Sequence, residues 1–240
     1  MRKLILMFLL IIAHIHTINA QPVKLQAIVG TGTSFNSKQR TDNYYVQAIK
    51  YKPAMFYKAV LALQVPLSPR FEFETGIGYE KRAVRSTQAY SMSNTDSVVN
   101  NAKVNYHYLV LPLQLSACLY KSNQSQFWIH AGFNYGFLIQ AKICGASEYF
   151  YKGKSINQPQ DNCYNPSIVL LRDQSRFSTP QPYGQLYAFD VATSLGISYT
   201  ITPRITIRAH YNYSLYSTEA NSEGATHQHN TGLSFLYRLI

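Results

Sequence analysis

Few side chains in this sequence are placed to do chemistry. His130, His210, Asp190 and Ser194 together contain the acid, base and hydroxyl of a hydrolase or acyltransferase triad. A triad is defined by geometry and not by position in the chain, and the sequence fixes none of their distances. Polar packing in an interior accounts for them more simply, so no enzymatic activity and no catalytic residue is expected. His227-Gln228-His229 offers two imidazoles to a metal, but no nearby cysteine or clear carboxylate set completes a site. The sequence also holds no phosphate loop and no zinc-type cysteine pairs, and neither a metal nor a cofactor is expected. Cys144 and Cys163 bracket part of a long polar stretch, and in an exported protein a disulfide between them is permitted. Closing that loop would order it by roughly 3 kcal/mol in the chain-entropy model. We expect the bond, with Cys118 a small packed residue on a strand.

Export itself is read from the N-terminus. Arg2 and Lys3 precede an apolar run from Leu4 to Ala13, and Ile18-Asn19-Ala20 ends in a small residue before Gln21. The pattern is a secretory signal peptide over residues 1–20, its apolar run too short to span a bilayer. Residues 21–240 show no linker-like shift of composition and read as one domain. The full chain carries 22 basic and 11 acidic residues, and without Arg2 and Lys3 it stays strongly basic. On an exported protein that charge suits phosphate-bearing lipid head groups better than nucleic acid, which is not expected as a partner.

The elements that position these residues follow a period of two. In Phe71-Glu72-Phe73-Glu74-Thr75-Gly76-Ile77-Gly78-Tyr79-Glu80 the odd positions are apolar, aromatic or Thr, and the even ones are Glu or Gly. Alternation of that kind writes two faces of a strand. Eight segments share it: 24–35, 53–66, 70–84, 104–120, 126–143, 185–200, 204–217 and 230–240. The gaps between them alternate too, short at 67–69, 121–125 and 201–203, long and polar at 36–52, 85–103, 144–184 and 218–229. Antiparallel strands with tight turns at one rim and long loops at the other describe an eight-stranded transmembrane β-barrel, turns periplasmic and loops extracellular. The 20 Tyr and 12 Phe, with only 14% charged residues, fit its outward band and interfacial girdles. Pro112 falls within a strand and predicts a bulge or local break there.

An eight-stranded barrel is only wide enough to be filled by side chains. The polar faces must fill it, and an unpaired charge in so narrow a space is costly. Glu72 and Glu74 are therefore expected to pair across the lumen with Arg208 and Arg238. A soluble lipocalin-like barrel would reverse the faces, burying the Leu, Ile and Phe side chains around a ligand. Several segments reach the roughly 9 to 11 residues that a tilted strand needs to cross a bilayer, and glycines crowd the polar face, both of which favour the membrane.

Phe73-Glu74-Thr75-Gly76-Ile77-Gly78-Tyr79-Glu80-Lys81, Tyr108-Leu109-Val110-Leu111-Pro112-Leu113 and Ala131-Gly132-Phe133-Asn134-Tyr135-Gly136 resemble the third, fourth and fifth strands of the PorT-type outer-membrane β-barrel proteins of the Bacteroidota. Asn19-Ala20-Gln21 is similar to their export signals. One departure is the C-terminus, Tyr237-Arg238-Leu239-Ile240, where such barrels commonly end on an aromatic residue. The resemblance covers the exported chain and implies an integral outer-membrane protein. It transfers no catalytic or ligand residues. The expected role is structural or interactive, accessory to transport or secretion, with outer-membrane lipid and lipopolysaccharide around the barrel and envelope proteins meeting its extracellular loops. A small-solute channel is the alternative, and a membrane-embedded hydrolase or acyltransferase a more distant one. The loop segments Tyr149 to Lys154 and Asn165 to Arg172 are equally readable as a recognition surface or as packing of the loop on its neighbours.

Overall fold

Alternating polarity excludes every odd slip of a strand's pairing register, because a slip of one residue exchanges its two faces. The computed structural model describes residues 22–38, 46–91, 96–122, 125–152, 154–155, 162–169, 185–216 and 226–240, and residues 1–20 lie outside them. Eight strands form a ring: β1 (Lys24–Lys38), β2 (Val46–Ser68), β3 (Phe71–Ser91), β4 (Asp96–Lys121), β5 (Gln126–Tyr151), β10 (Phe189–Thr202), β11 (Ile205–Ser214) and β12 (Thr226–Arg238). Short strands β6 (Lys154–Ser155), β7 (Asn162–Tyr164), β8 (Ser167–Val169) and β9 (Gln185–Tyr187) lie between β5 and β10. Every long strand pairs antiparallel with its two neighbours. β12 closes the ring against β1 in a ladder from Gln26↔Arg238 to Lys38↔Thr226.

The faces settle the environment. On β3, Glu72, Glu74 and Glu80 are 6%, 1% and 2% exposed, while Phe71, Ile77 and Tyr79 are 46%, 56% and 37% exposed. Charge lies inside and grease outside, the reverse of a soluble barrel. Hydroxyls shape the tight turns. Ser68 Oγ accepts from the Arg70 and Phe71 amides at 3.2 and 3.1 Å, and Thr202 Oγ1 from those of Arg204 and Ile205 at 3.4 and 3.1 Å.

Parts of the expected long loops are strand instead: residues 36–38 and 46–52, 85–91 and 96–103, and 144–151. β2 to β5 run 23, 21, 26 and 26 residues, about twice what a bilayer crossing needs, whereas β10 to β12 run 14, 10 and 13. Most of 85–103 is the outer part of a hairpin, with Arg85↔Lys103 to Ser91↔Ser97 paired in register. Its polar composition suggested a loop because both faces of a hairpin in water can be polar. β5 carries β7 and β6 on its edge above the point where β10 leaves it.

Pro112 makes a break without a bulge. It pairs with Asn134 of β5, while the β3–β4 ladder skips from Thr75↔Leu113 to Gly78↔Val110 with its register kept. Proline lacks only the N–H, so losing those pairs on one side satisfies it. A true bulge sits between His107↔Gln140 and Tyr108↔Leu138. Ile139 is the extra residue, and beyond it the odd positions of β5 turn inward, with Ala141 buried.

Gly32 and Gly232 face each other across the closing seam, and the ring of Phe56, fully buried, fills the slot they leave. A Cβ on Gly32 would lie 2.7 Å from that ring and 2.0 Å from the Thr31-to-Thr231 backbone wall, at the Thr231 oxygen. Gly32→Val should therefore prevent closure in most molecules, seen as loss of the fast-migrating, unheated band on a heat-modifiability gel. Thr33→Val, on the outward face, should leave that band in place.

Candidate functional site

Among the described residues the lumen contains two ion-pair networks, one above the other. Near the periplasmic end Arg208 on β11 grips Glu74 on β3 with two parallel hydrogen bonds, Nη1 to Oε1 and Nη2 to Oε2, both 2.7 Å. Such a fork matches carboxylate geometry and fixes both side chains. Gln26 Nε2 donates to Glu74 at 2.8 Å, and Arg208 Nη1 also donates to Gln114 Oε1 at 3.2 Å. Lys24 on β1 forms an ion pair with Glu72.

Further out, Arg82 is fully buried. Its Nε donates to Glu80 Oε1 at 2.5 Å, and its Nη1 pairs with Asp190 and donates to Gln228 Oε1 at 2.9 Å. The guanidinium lies 4.5 Å from the centre of the Tyr108 ring. Above it Val84, Tyr106, Leu138, Ala141 and Leu186 belong to one apolar cluster that caps the charges. The remaining space at the periplasmic mouth, lined by Glu72, His130, Arg208 and Arg238 among others, is ≈ 20 Å³. That is room for about one water.

The structure thus redraws the expected lumen pairs. Glu74 meets Arg208, but Glu72 meets Lys24 and not Arg238. Arg238 pairs in register with Gln26 at the mouth and is half-buried, facing the same space as Glu72. The barrel stagger brings the flexible Lys24 to the carboxylate first. Arg82 went unremarked in the sequence although its even position continues the face of Glu72, Glu74 and Glu80, and Lys24 likewise continues that of Gln26. Parity alone would have found both.

The four triad candidates are all buried but do not assemble. His130 is held between two serines, Nδ1 to Ser116 Oγ at 2.6 Å and Nε2 to Ser198 Oγ at 2.7 Å. Asp190 is bound to Arg82, Ser194 accepts from Gln114 at 3.1 Å, and His210 Nδ1 lies 3.3 Å from Ser234 Oγ. His227 and His229 are on the outward face, where His229 stacks on Phe35 at 4.9 Å and joins Tyr211 Oη at 2.6 Å. Among the described residues no group of three metal-ligating side chains forms.

Cys144 on β5 and Cys163 on β7 are directly opposed, 4.1 Å apart at Cα, and form a disulfide. Cys118, whose Sγ donates to the Tyr120 carbonyl at 3.3 Å, is half-buried. The bond pins the returning loop to the edge of β5. Of the two loop segments, Tyr149 and Tyr151 end β5 with 45% and 48% of their surface exposed, and Ile168 lies in the parallel pairing of β8 with β9. Leu170 to Arg172 lie outside the described residues.

A family model described as outer membrane protein β-barrel domain matches residues 12–219. The chain belongs to that family. It is a protein of the bacterial outer membrane, and the apolar outward face of the ring is its lipid-facing wall. Among solved structures it is similar to the attachment invasion locus protein Ail of Yersinia pestis, at 10% identity over 90% of this chain and 100% of that one, with a TM-score of 0.31. Neisserial surface protein A gives 8% identity, 91% and 100% coverage and 0.36. OprG from Pseudomonas aeruginosa gives 11%, 88% and 95%, and 0.37. At these scores the family match carries the placement. No curated protein matches the chain.

Removing one member of a buried ion pair strands its partner, at a cost of about 3–5 kcal/mol. Arg208→Ala should lower stability by that order in urea titrations followed by gel mobility, and Arg208→Gln with Glu74→Gln should recover most of it. Arg82→Ala should cost at least as much, because it abandons two carboxylates.

Proposed function

We propose that this barrel is a non-enzymatic, non-conducting anchor that holds an extracellular sheet for partner proteins of the envelope. The single observation that carries the reading is the filled lumen. Two ion-pair networks and an apolar cap leave ≈ 20 Å³ at the mouth, far less than a solute path requires. What projects is the outer half of β2 to β5, with β7 fixed to its edge by the Cys144–Cys163 bond. A rigid sheet is a better presenting surface than a free loop, because less order is lost on binding.

The lack of enzymatic activity belongs to this proposal, supported by a buried His130 whose two ring nitrogens are both occupied by serines without a carboxylate. A PorT-type assignment is the finer form of the family reading. It rests on the strand motifs around Phe73 to Lys81 and Tyr108 to Leu113, and it favours a role accessory to secretion. The N-terminal signal peptide over residues 1–20 belongs to the same reading, as do lipopolysaccharide and other outer-membrane lipids as the surroundings of the barrel.

The test has two arms. Purified protein in planar bilayers should give no steady conductance, and sustained channel openings would favour the small-solute channel. In cells, crosslinking through the outer part of β4–β5 should capture an envelope protein that is lost when residues 145–162 are deleted from a barrel that still inserts. Retention of every partner would mean that the segment only packs on its neighbours. The loop bond has its own check, since denatured protein without reductant should titrate a single thiol, Cys118, and three after reduction.

A further inference from the structure

The outward face of β2 to β5 carries an arrangement of like charges that no described side chain compensates. Lys52, Arg85 and Lys103 are direct cross-strand partners, Lys52↔Arg85 on β2–β3 and Arg85↔Lys103 on β3–β4. All three are exposed, and Val84, beside Arg85, points the other way into the core. Lys142 lies one row closer to the membrane on β5, and Lys81 one further, its Nζ 5.4 Å from the centre of the Tyr57 ring. Like charges directly opposite on adjacent strands destabilise a sheet. No carboxylate among the described residues pairs with any of the five. The first acid on these faces is Glu148, opposite Val99 and two rows farther out than Lys103. The acids Glu72, Glu74, Glu80 and Asp190 are committed to the lumen.

The height of the cluster identifies what must neutralise it. At about 3.3 Å per residue and a tilt of about 40°, Lys81 stands about 25 Å and Arg85 about 35 Å along the barrel axis from Phe71. The apolar band of such barrels is about 25 Å tall, so the cations begin at its outer edge and continue through the headgroup layer. Directly beneath them, on the same arc, Met55, Leu109, Phe137 and Ile139 face lipid. The opposite arc has a different rim, with Phe35, Tyr211, Tyr213 and His229 clustered as rings. The β2 to β5 arc therefore offers a cluster of cations above an apolar wall, which is the complement of an amphiphile with an anionic head and acyl chains.

We propose that Lys52, Arg85 and Lys103, with Lys142 and Lys81 below, form a binding site for the phosphate-bearing headgroup of an outer-leaflet glycolipid. Its phosphates screen the opposed cations, and its acyl chains lie on the wall beneath. This deepens the lipid part of the anchoring role above and fails separately from it, because neither conductance nor loss of a protein partner bears on it.

The test compares full-length wild type with R85Q/K103Q and with K152Q/K154Q, a charge-matched change at the exposed tip of β5 and β6. Unfolding is followed by gel mobility in vesicles holding phosphorylated glycolipid or the same lipid enzymatically dephosphorylated. The wild-type midpoint should rise with the phosphorylated lipid only, R85Q/K103Q should lose more than half of that rise, and K152Q/K154Q should keep it. In phosphate-free detergent the order should reverse, with R85Q/K103Q unfolding no earlier than wild type because the repulsion is gone. An equal rise with dephosphorylated lipid, an equal loss in the tip variant, or the full rise from inorganic phosphate in detergent would each overturn the proposal. A second readout needs no variant: wild type extracted with mild detergent should retain phosphorylated over dephosphorylated glycolipid in competition. Equal retention would overturn it as well.

Discussion

The whole architecture depends on charge compensation in a lumen too narrow for bulk water. Eight strands leave space for side chains and little else, so every carboxylate that points inward must find its cation within the same cross-section. Glu74 does so across the ring, from β3 to Arg208 on β11, and Arg82 ties β3 to Asp190 on β10. These pairs run between opposite walls, which the backbone ladder between neighbours cannot do. Against a well-packed apolar filling they add little net stability. What they add is selectivity of register, because a slip on β3 would carry Glu72, Glu74 and Glu80 into lipid.

A polar lumen also answers a problem that precedes insertion. A strand apolar on both faces would be a continuous hydrophobic run, hazardous to a chain that must cross an aqueous compartment unfolded. Alternation halves that exposure, and Gly32, Gly76 and Gly132 keep the inner face small enough for the ring to close around its charges. The same residues thus serve transit, closure and sealing. On the proposed non-conducting reading the protein acts through its outer surface, where β2 to β5 outgrow the bilayer and β10 to β12 do not.

How much of this was legible in the sequence follows from what has a period. The face of each strand, the ring of eight and the rim bearing the tight turns are all functions of parity and spacing, and they can be read without contacts. Partner choice is not. Glu72 pairs with Lys24 and not with Arg238 because of the stagger between β1, β2 and β12, a quantity spread over three ladders and written in no single segment. The hairpin extension at 85–103 was hidden for a different reason. In water both faces of a strand are free to be polar, so the signal that marks a membrane strand vanishes where the bilayer ends. Arg82 and Lys24 are the residues that parity yields, since Arg82 sits two positions beyond Glu80 and Lys24 two before Gln26, each on the same face.

The asymmetry between the arcs gives the last step. Cross-strand cations are tolerated only where a counter-charge is always present in the working environment, and along β2 to β5 the described residues supply none. A protein in water would be expected to intersperse acids on that face, as Glu148 is placed farther out. Inside, each described carboxylate on the strand faces is answered by a cation of another strand or of its own, Glu72 by Lys24, Glu74 by Arg208, and Glu80 and Asp190 by Arg82. Outside, at the level of the headgroups, the answering charge can be left to the lipid. The contrast between lumen carboxylates that are paired within the protein and rim cations that no described side chain pairs therefore separates what this fold holds by itself from what it borrows from the membrane.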